Sequence, residues 1–192
     1  VETTPAGVVS TLAGEMGLGD EAVARCLFAA GVIGLIVANR ATFAAEIAGC
    51  QVEIGVAGAM AAAAAVEAAG GCATEALDAA SISLQNTIGS VCDPVGGGCE
   101  IPCHTRNGAA AAAAFTCADL IIGGYPNPIP LDDSIDASFA VGRTLPVELR
   151  CTAKGGIAAT PSAMELVRVK SRQATEPPPS SIWVEDPAGC FK

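Results

Sequence analysis

Nine cysteines punctuate this 192-residue sequence, at positions 26, 50, 72, 92, 99, 103, 117, 151 and 190. Cys26, Cys72 and Cys117 stand in alanine-rich sequence of helical character, where a thiol behaves as a small hydrophobe. Cys50 follows Gly49. Cys92 and Cys103 close the two ends of Cys92-Asp93-Pro94-Val95-Gly96-Gly97-Gly98-Cys99-Glu100-Ile101-Pro102-Cys103, whose two prolines and three successive glycines read as a loop. Thiolates suit soft metals and iron–sulfur clusters, and loops supply them readily because the chain must wrap an inorganic core. Successive glycines also let backbone N–H groups approach a sulfide or a bound anion. Spacing alone does not choose among the options. No CxxC pair occurs, and Cys50, Cys92, Cys99 and Cys103 would also supply the four ligands of a closed zinc site, or be ordinary loop thiols.

The elements that must position these residues are helical. Hydrophobic residues make up 51% of the chain but aromatics only 4%, so the core must form by close approach of backbones rather than by filling space with rings. The pattern predicts helices over 21–37, 56–69, 74–88, 108–122 and from Asp132 or Asp133 to 142, with a short sixth over 145–150. Asp20 is the expected N-cap of the first. Cys50 falls in the intervening loop, 48–55. No alternating β-branched run stands out, so the fold expected is an all-α, Ala/Gly-rich bundle carrying cysteine-bearing loops at its helix ends. Residues 1–170 form its domain, and 171–192 are a proline-rich C-terminal extension.

Charge and hydropathy exclude some partners. A net charge of −10, with few aromatics, disfavours nucleic acid. The most apolar run, 26–38, is short for a membrane span, and the run 52–66 is interrupted by Glu53. Nor is there a basic, then apolar, leader at the N-terminus. The expectation is a cytoplasmic protein with no membrane partner.

Three separated motifs bear on the cysteines: Gly49-Cys50-Gln51-Val52-Glu53-Ile54-Gly55, then Cys92-Asp93-Pro94-Val95, then Pro102-Cys103-His104-Thr105-Arg106-Asn107. Ile129-Pro130-Leu131-Asp132, Leu145-Pro146-Val147-Glu148-Leu149-Arg150 and Gly155-Gly156-Ile157-Ala158-Ala159-Thr160-Pro161 follow in order. Together they resemble the alpha chain of iron–sulfur-dependent L-serine dehydratases, over roughly residues 6–169. The resemblance implies a [4Fe–4S] cluster held by Cys50, Cys92 and Cys103, with one iron left open for L-serine. It also implies conversion of L-serine to pyruvate and ammonia without pyridoxal phosphate, a step of amino-acid catabolism leading towards gluconeogenesis. Hydroxide is a poor leaving group, so an iron without a protein thiolate would act as Lewis acid on the substrate hydroxyl and carboxylate. A fourth thiolate would block that iron, which makes Cys99 a neighbour rather than a ligand. The family's alpha chains carry further sequence before this point. Its Ser-Ser-His-Thr segment, which supplies an active-site histidine, belongs to the beta subunit or domain and is absent here. The resemblance therefore implies a beta-subunit partner and a catalytic base that this chain does not identify. A non-catalytic iron–sulfur or zinc module, kept by a truncated relative, is the alternative.

Around the ligands, Arg106 and Asn107 are the substrate-binding candidates. A guanidinium at the start of the alanine-rich helix, where N–H groups point outward, suits a carboxylate, although a structural ion pair accounts for Arg106 equally well. His104, the one histidine of the chain, is read as a loop residue bonding locally. Glu53 is read as a helix-start or ligand-supporting carboxylate and Asp93 as a loop cap. Cys151 and Cys190 have no assigned role, though Cys190 is placed to reach an open iron as a plug.

Overall fold

The structure is a computed structural model, and it describes residues 3–90, 100–144, 150–151 and 190–191. Seven helices hold most of these residues: α1 (Thr3–Met16), α2 (Asp20–Arg40), α3 (Ala45–Ala48), α4 (Ile54–Ala68), α5 (Ala73–Gln85), α6 (Glu100–Ile122) and α7 (Leu131–Thr144). The fold is all-α. Two-residue strands β1 (Arg150–Cys151) and β2 (Cys190–Phe191) pair antiparallel, Cys151 opposite Cys190, so Arg150 does not end a sixth predicted helix.

Helix α4 is the axis around which the rest is laid. Its sequence, IGVAGAMAAAAAVEA, is apolar on every side, and a helix of that kind must be covered all round. Twelve of its fifteen residues are buried, under α1, α2, α5 and α6. Small side chains make the close approach possible. A Cβ on Gly55 would lie 2.3 Å from Thr87 Oγ1, and one on Gly58 3.3 Å from the Ala110 Cβ of α6. Helices α4 and α6 start at the same end of the bundle and finish together, where a Cβ on Gly71 would meet Ile122. Helix α5 runs the other way and delivers Thr87 to the head of α4.

Several sequence expectations move. Helix α1 was not foreseen, although Val8 and Val9 are buried and Thr3-Thr4-Pro5 suits a helix start, where proline's missing N–H costs nothing. The same reasoning extends α6 back to Glu100, well before 108: Pro102 lies in the first turn, whose N–H groups have no partner within the helix. Cys103 is thus a helical residue and not the end of a loop. Helix α2 begins with Asp20 inside its first turn behind Gly19, so Asp20 and Glu21 favour the helix dipole rather than cap the end. Helix α2 is also longer than its apolar run. By length and composition it could cross a membrane, yet Cys26, Ala30, Ile33, Gly34 and Val37 are buried along one face of it. Cys72 is exposed at the head of α5, where its backbone N–H donates to Glu75 Oε2, and is not the core thiol expected.

The Ile129-Pro130-Leu131-Asp132 motif is structural. The Ile129 carbonyl accepts hydrogen bonds from Ser81 Oγ (2.7 Å) and Asn127 Nδ2 (2.8 Å), and Ser81 Oγ also lies 2.8 Å from Ser134 Oγ. This knot fixes the start of α7 against α5. Arg40 then ties the outer face of α7 to α2 through Asp132 and Asp136.

Candidate metal centre

Cys50 sits in the turn between α3 and α4. Gly49 adopts φ +80°, a conformation that only glycine takes without strain, and this sends the chain from α3 into the turn. The Cys50 carbonyl then accepts from the N–H groups of Glu53, Ile54 and Gly55, which begin α4. Glu53 takes the N-cap position, in keeping with a helix-start role, without a side-chain capping bond. Cys50 itself is only 1% exposed.

Cys103 reaches the same place from α6. It packs at the edge of a small cluster formed by Cys50, Ile54 and Ala110, so the heads of α4 and α6 bring the two thiols together. Asn107, one turn on, donates from Nδ2 to the Cys103 carbonyl at 2.9 Å. Thr4 Oγ1 donates to Asn107 Oδ1 at 2.5 Å, and Thr4 is buried. Helix α1 therefore reaches the Cys103 turn through Asn107, whose two amide ends both face protein partners. Arg106 is half-buried in the second turn of α6, where backbone N–H groups belong to the helical ladder; the outward-pointing N–H groups invoked for it lie one turn earlier. His104 is exposed.

A third element arrives from α5. The backbone N–H of Gln51 donates to the Ser90 carbonyl at 3.2 Å, and the Gly89 N–H donates to Gln51 Oε1 at 2.6 Å. The chain leading to Cys92 is thereby fastened beside Cys50. Cys92 and Cys99, like Asp93, lie outside the described residues, as does most of the extension over 171–192. Among the described residues no group of three or more Cys, His, Asp or Glu comes together. What the structure does bring together is Cys50 and Cys103, with the approach to Cys92. The donors fit a soft metal or an iron–sulfur cluster: two sulfurs at adjoining helix heads, one of them shielded from water.

The remaining cysteines differ in kind. Cys26 and Cys117 are buried within the bundle, and their thiols are pushed above the ordinary range. Burial is the main cause in both; Glu67 adds to it at Cys26, while a hydrogen bond with Asn86 opposes it at Cys117. Such thiols are poor thiolates and poor ligands. Thr4 and Gln51 escaped the sequence reading. A glutamine between a buried cysteine and an apolar helix was the available signal for the second, since a buried amide must find partners.

A family profile described as serine dehydratase alpha chain matches residues 4–158. The chain is 47% identical over 146 residues to the probable L-serine dehydratase alpha chain of Bacillus subtilis, covering 76% of this chain and 49% of that protein. It is 43% identical over 160 residues to the probable L-serine dehydratase alpha chain of Latilactobacillus sakei, covering 83% of this chain and 77% of the relative. It is 38% identical over 143 residues to the L-serine dehydratase of Streptomyces coelicolor, where the matched part is 31% of that protein. The chain thus spans about half the length of the Bacillus relative, and under a third of the Streptomyces one.

Proposed function

We propose that this chain, which belongs to the serine dehydratase alpha chain family, is the cluster-bearing part of an enzyme that deaminates L-serine to pyruvate and ammonia. The observation that carries this reading is the meeting of Cys50 and Cys103 at the adjoining heads of α4 and α6. Cys92, whose approach is fastened beside Cys50, completes a three-thiolate set for a [4Fe–4S] cluster. The cluster, when bound, supplies a Lewis-acidic iron for the substrate hydroxyl and carboxylate.

The chain's own residues do the positioning. Cys50 holds its sulfur away from bulk water at the root of α4, and Cys103 faces it from α6. Arg106 offers a planar two-donor fork, which suits a carboxylate better than a lysine ammonium does. Asn107, bonded to the Cys103 carbonyl and to Thr4, steadies the turn that carries Arg106. A beta subunit or domain, where the family carries its Ser-Ser-His-Thr segment, supplies the base that removes the α-proton.

The test is pyruvate formation from L-serine by the anaerobically reconstituted chain supplied with a beta partner. Activity should appear only with the partner and be lost in Cys50→Ser, Cys92→Ser and Cys103→Ser. Arg106→Lys should keep its iron and bind serine more weakly by about 1.5–3 kcal/mol, the worth of a charged hydrogen bond. A fully reconstituted complex that leaves serine unchanged would overturn the assignment.

A further inference from the structure

Helix α2 is apolar on two sides, and the bundle uses only one of them. Cys26, Ala30, Ile33, Gly34 and Val37 are buried against it. On the far side Leu27 (49% exposed), Phe28 (76%), Val32 (53%) and Leu35 (63%) face outward within nine residues. The helix's two arginines leave this face uncovered: Arg25 is drawn towards Glu67 of α4, and Arg40 towards Asp132 and Asp136 of α7. A helix apolar all round calls for cover all round. Crossing a membrane is incompatible with the packed side. Lying on one favours a helix flanked by lysine and arginine, whereas α2 opens on Asp20 and Glu21. We propose that this face seats a second copy of the chain, α2 packing antiparallel on α2 about a two-fold axis.

The residues of the face fit one another. Phe28 and Leu35 alternate with the small residues Ala24 and Gly31 at spacings of four and three, the seam pattern of paired helices. An antiparallel pair with Phe28 opposite Gly31 of the second copy also sets Leu35 opposite Ala24 and Leu27 opposite Val32. Large then meets small along the seam, as close packing requires. A parallel pair would instead set Phe28 on Phe28 and leave Gly31 facing Gly31. Gly31 is a true notch, since a Cβ there would find nothing within 4 Å. Knob and notch on one surface make the face self-complementary, the condition for a two-fold contact. Its area is sufficient. The four large side chains and the small residues between them offer about 500 Å² per copy, as large as the patches that mark interaction sites. Two copies would bury about 1,000 Å², the least a specific interface needs. Charge agrees, because a chain of net charge −10 repels its copy, and no charged residue lies between Arg25 and Arg40.

The test is sedimentation velocity of the whole chain, and it needs neither cluster nor activity. An interface of this size should form a dimer at micromolar concentrations, within a range of about 1–200 µM. Phe28→Glu should weaken that dimer at least about 30-fold, the loss at a central contact, with helix content unchanged by circular dichroism. Leu35→Glu repeats the test should Phe28→Glu not fold. Gly31→Leu is the sharper variant. It favours the helix and adds apolar surface, so it would strengthen any unspecific association. In the proposed dimer it fills the notch for Phe28 and should weaken association about tenfold. A wild type that stays monomeric throughout, or a dimer left intact by the glutamate variants, would overturn the proposal. So would a Gly31→Leu chain that associates more tightly than wild type. A monomer that co-sediments with phosphatidylcholine vesicles would overturn it in favour of a lipid surface.

Discussion

The two ends of helix α4 are built on opposite principles. From Ala61 to Val66 the helix is sealed by contact alone: Ala61, Ala62, Ala63, Ala64 and Val66 are fully buried against α1, α2, α5 and α6, with no polar side chain among them. At the head, around Cys50, the joints are hydrogen bonds. Gln51 links three elements there, and Thr4 reaches Asn107 from α1. Small-residue packing gives stability but tolerates any sulfur-sized side chain, as Cys117 shows by standing within it. Directional bonds add less stability, yet they fix where a backbone turn and its thiol must lie. Stability and placement are thus divided along one helix.

That division can be broken most forcefully at the packed end. Ala62→Leu adds a branched side chain where there is no space, and should cost about 3 kcal/mol or more, the upper range for overpacking. Thermal or urea unfolding would measure it; a loss below about 0.5 kcal/mol would mean that the packed end is looser than described. At the head, Thr4→Val keeps the shape but strips Asn107 Oδ1 of its donor, and should cost about 1 kcal/mol, a typical hydrogen-bond value. Its sharper signature is a weaker hold on metal at Cys103 than the stability loss alone would give.

The buried thiols predict a pH effect of known sign. Burial raises the Cys117 thiol in the folded chain above the ordinary 9.0 of an unfolded one, so the folded state keeps its proton where the unfolded state releases it. The resulting stability is fully present below about pH 9 and falls as pH rises through the raised value. Cys117→Ala should flatten that alkaline decline, followed as melting temperature from pH 8 to 10.5. The smallest effect belongs to Ser138, whose buried hydroxyl has no partner among the described residues while its carbonyl serves Gln51. Ser138→Ala should leave stability within about 0.5 kcal/mol or raise it slightly, because an unpaired hydroxyl is removed and the carbonyl stays.

The packed end was legible in the sequence and the head only partly so. Alanine runs bounded by glycine announce α4 and α6 through period and composition, which are local properties. The start of α6 was misread because three glycines and two prolines signal a loop, whereas Pro102 is compatible with a first helical turn. Helix α1 was missed for want of a strong apolar face. The pairing of Cys50 with Cys103 depends on two helices separated by some fifty residues starting at one end of the bundle, which no local pattern encodes. Gln51 carries a local signal, a glutamine beside an apolar helix, but its partners are not local: Ser138 lies 87 residues away in sequence from it.

The central claim is that thiols at the helix heads bind the cluster and thiols in the helical core do not. Iron and acid-labile sulfide, measured per chain after anaerobic reconstitution, test it directly. Wild type, Cys26→Ser and Cys117→Ser should each hold about four irons and four sulfides, as a [4Fe–4S] cluster requires, while Cys50→Ser and Cys103→Ser, folded by circular dichroism, should hold almost none. Full iron and sulfide in Cys50→Ser or Cys103→Ser would contradict the account.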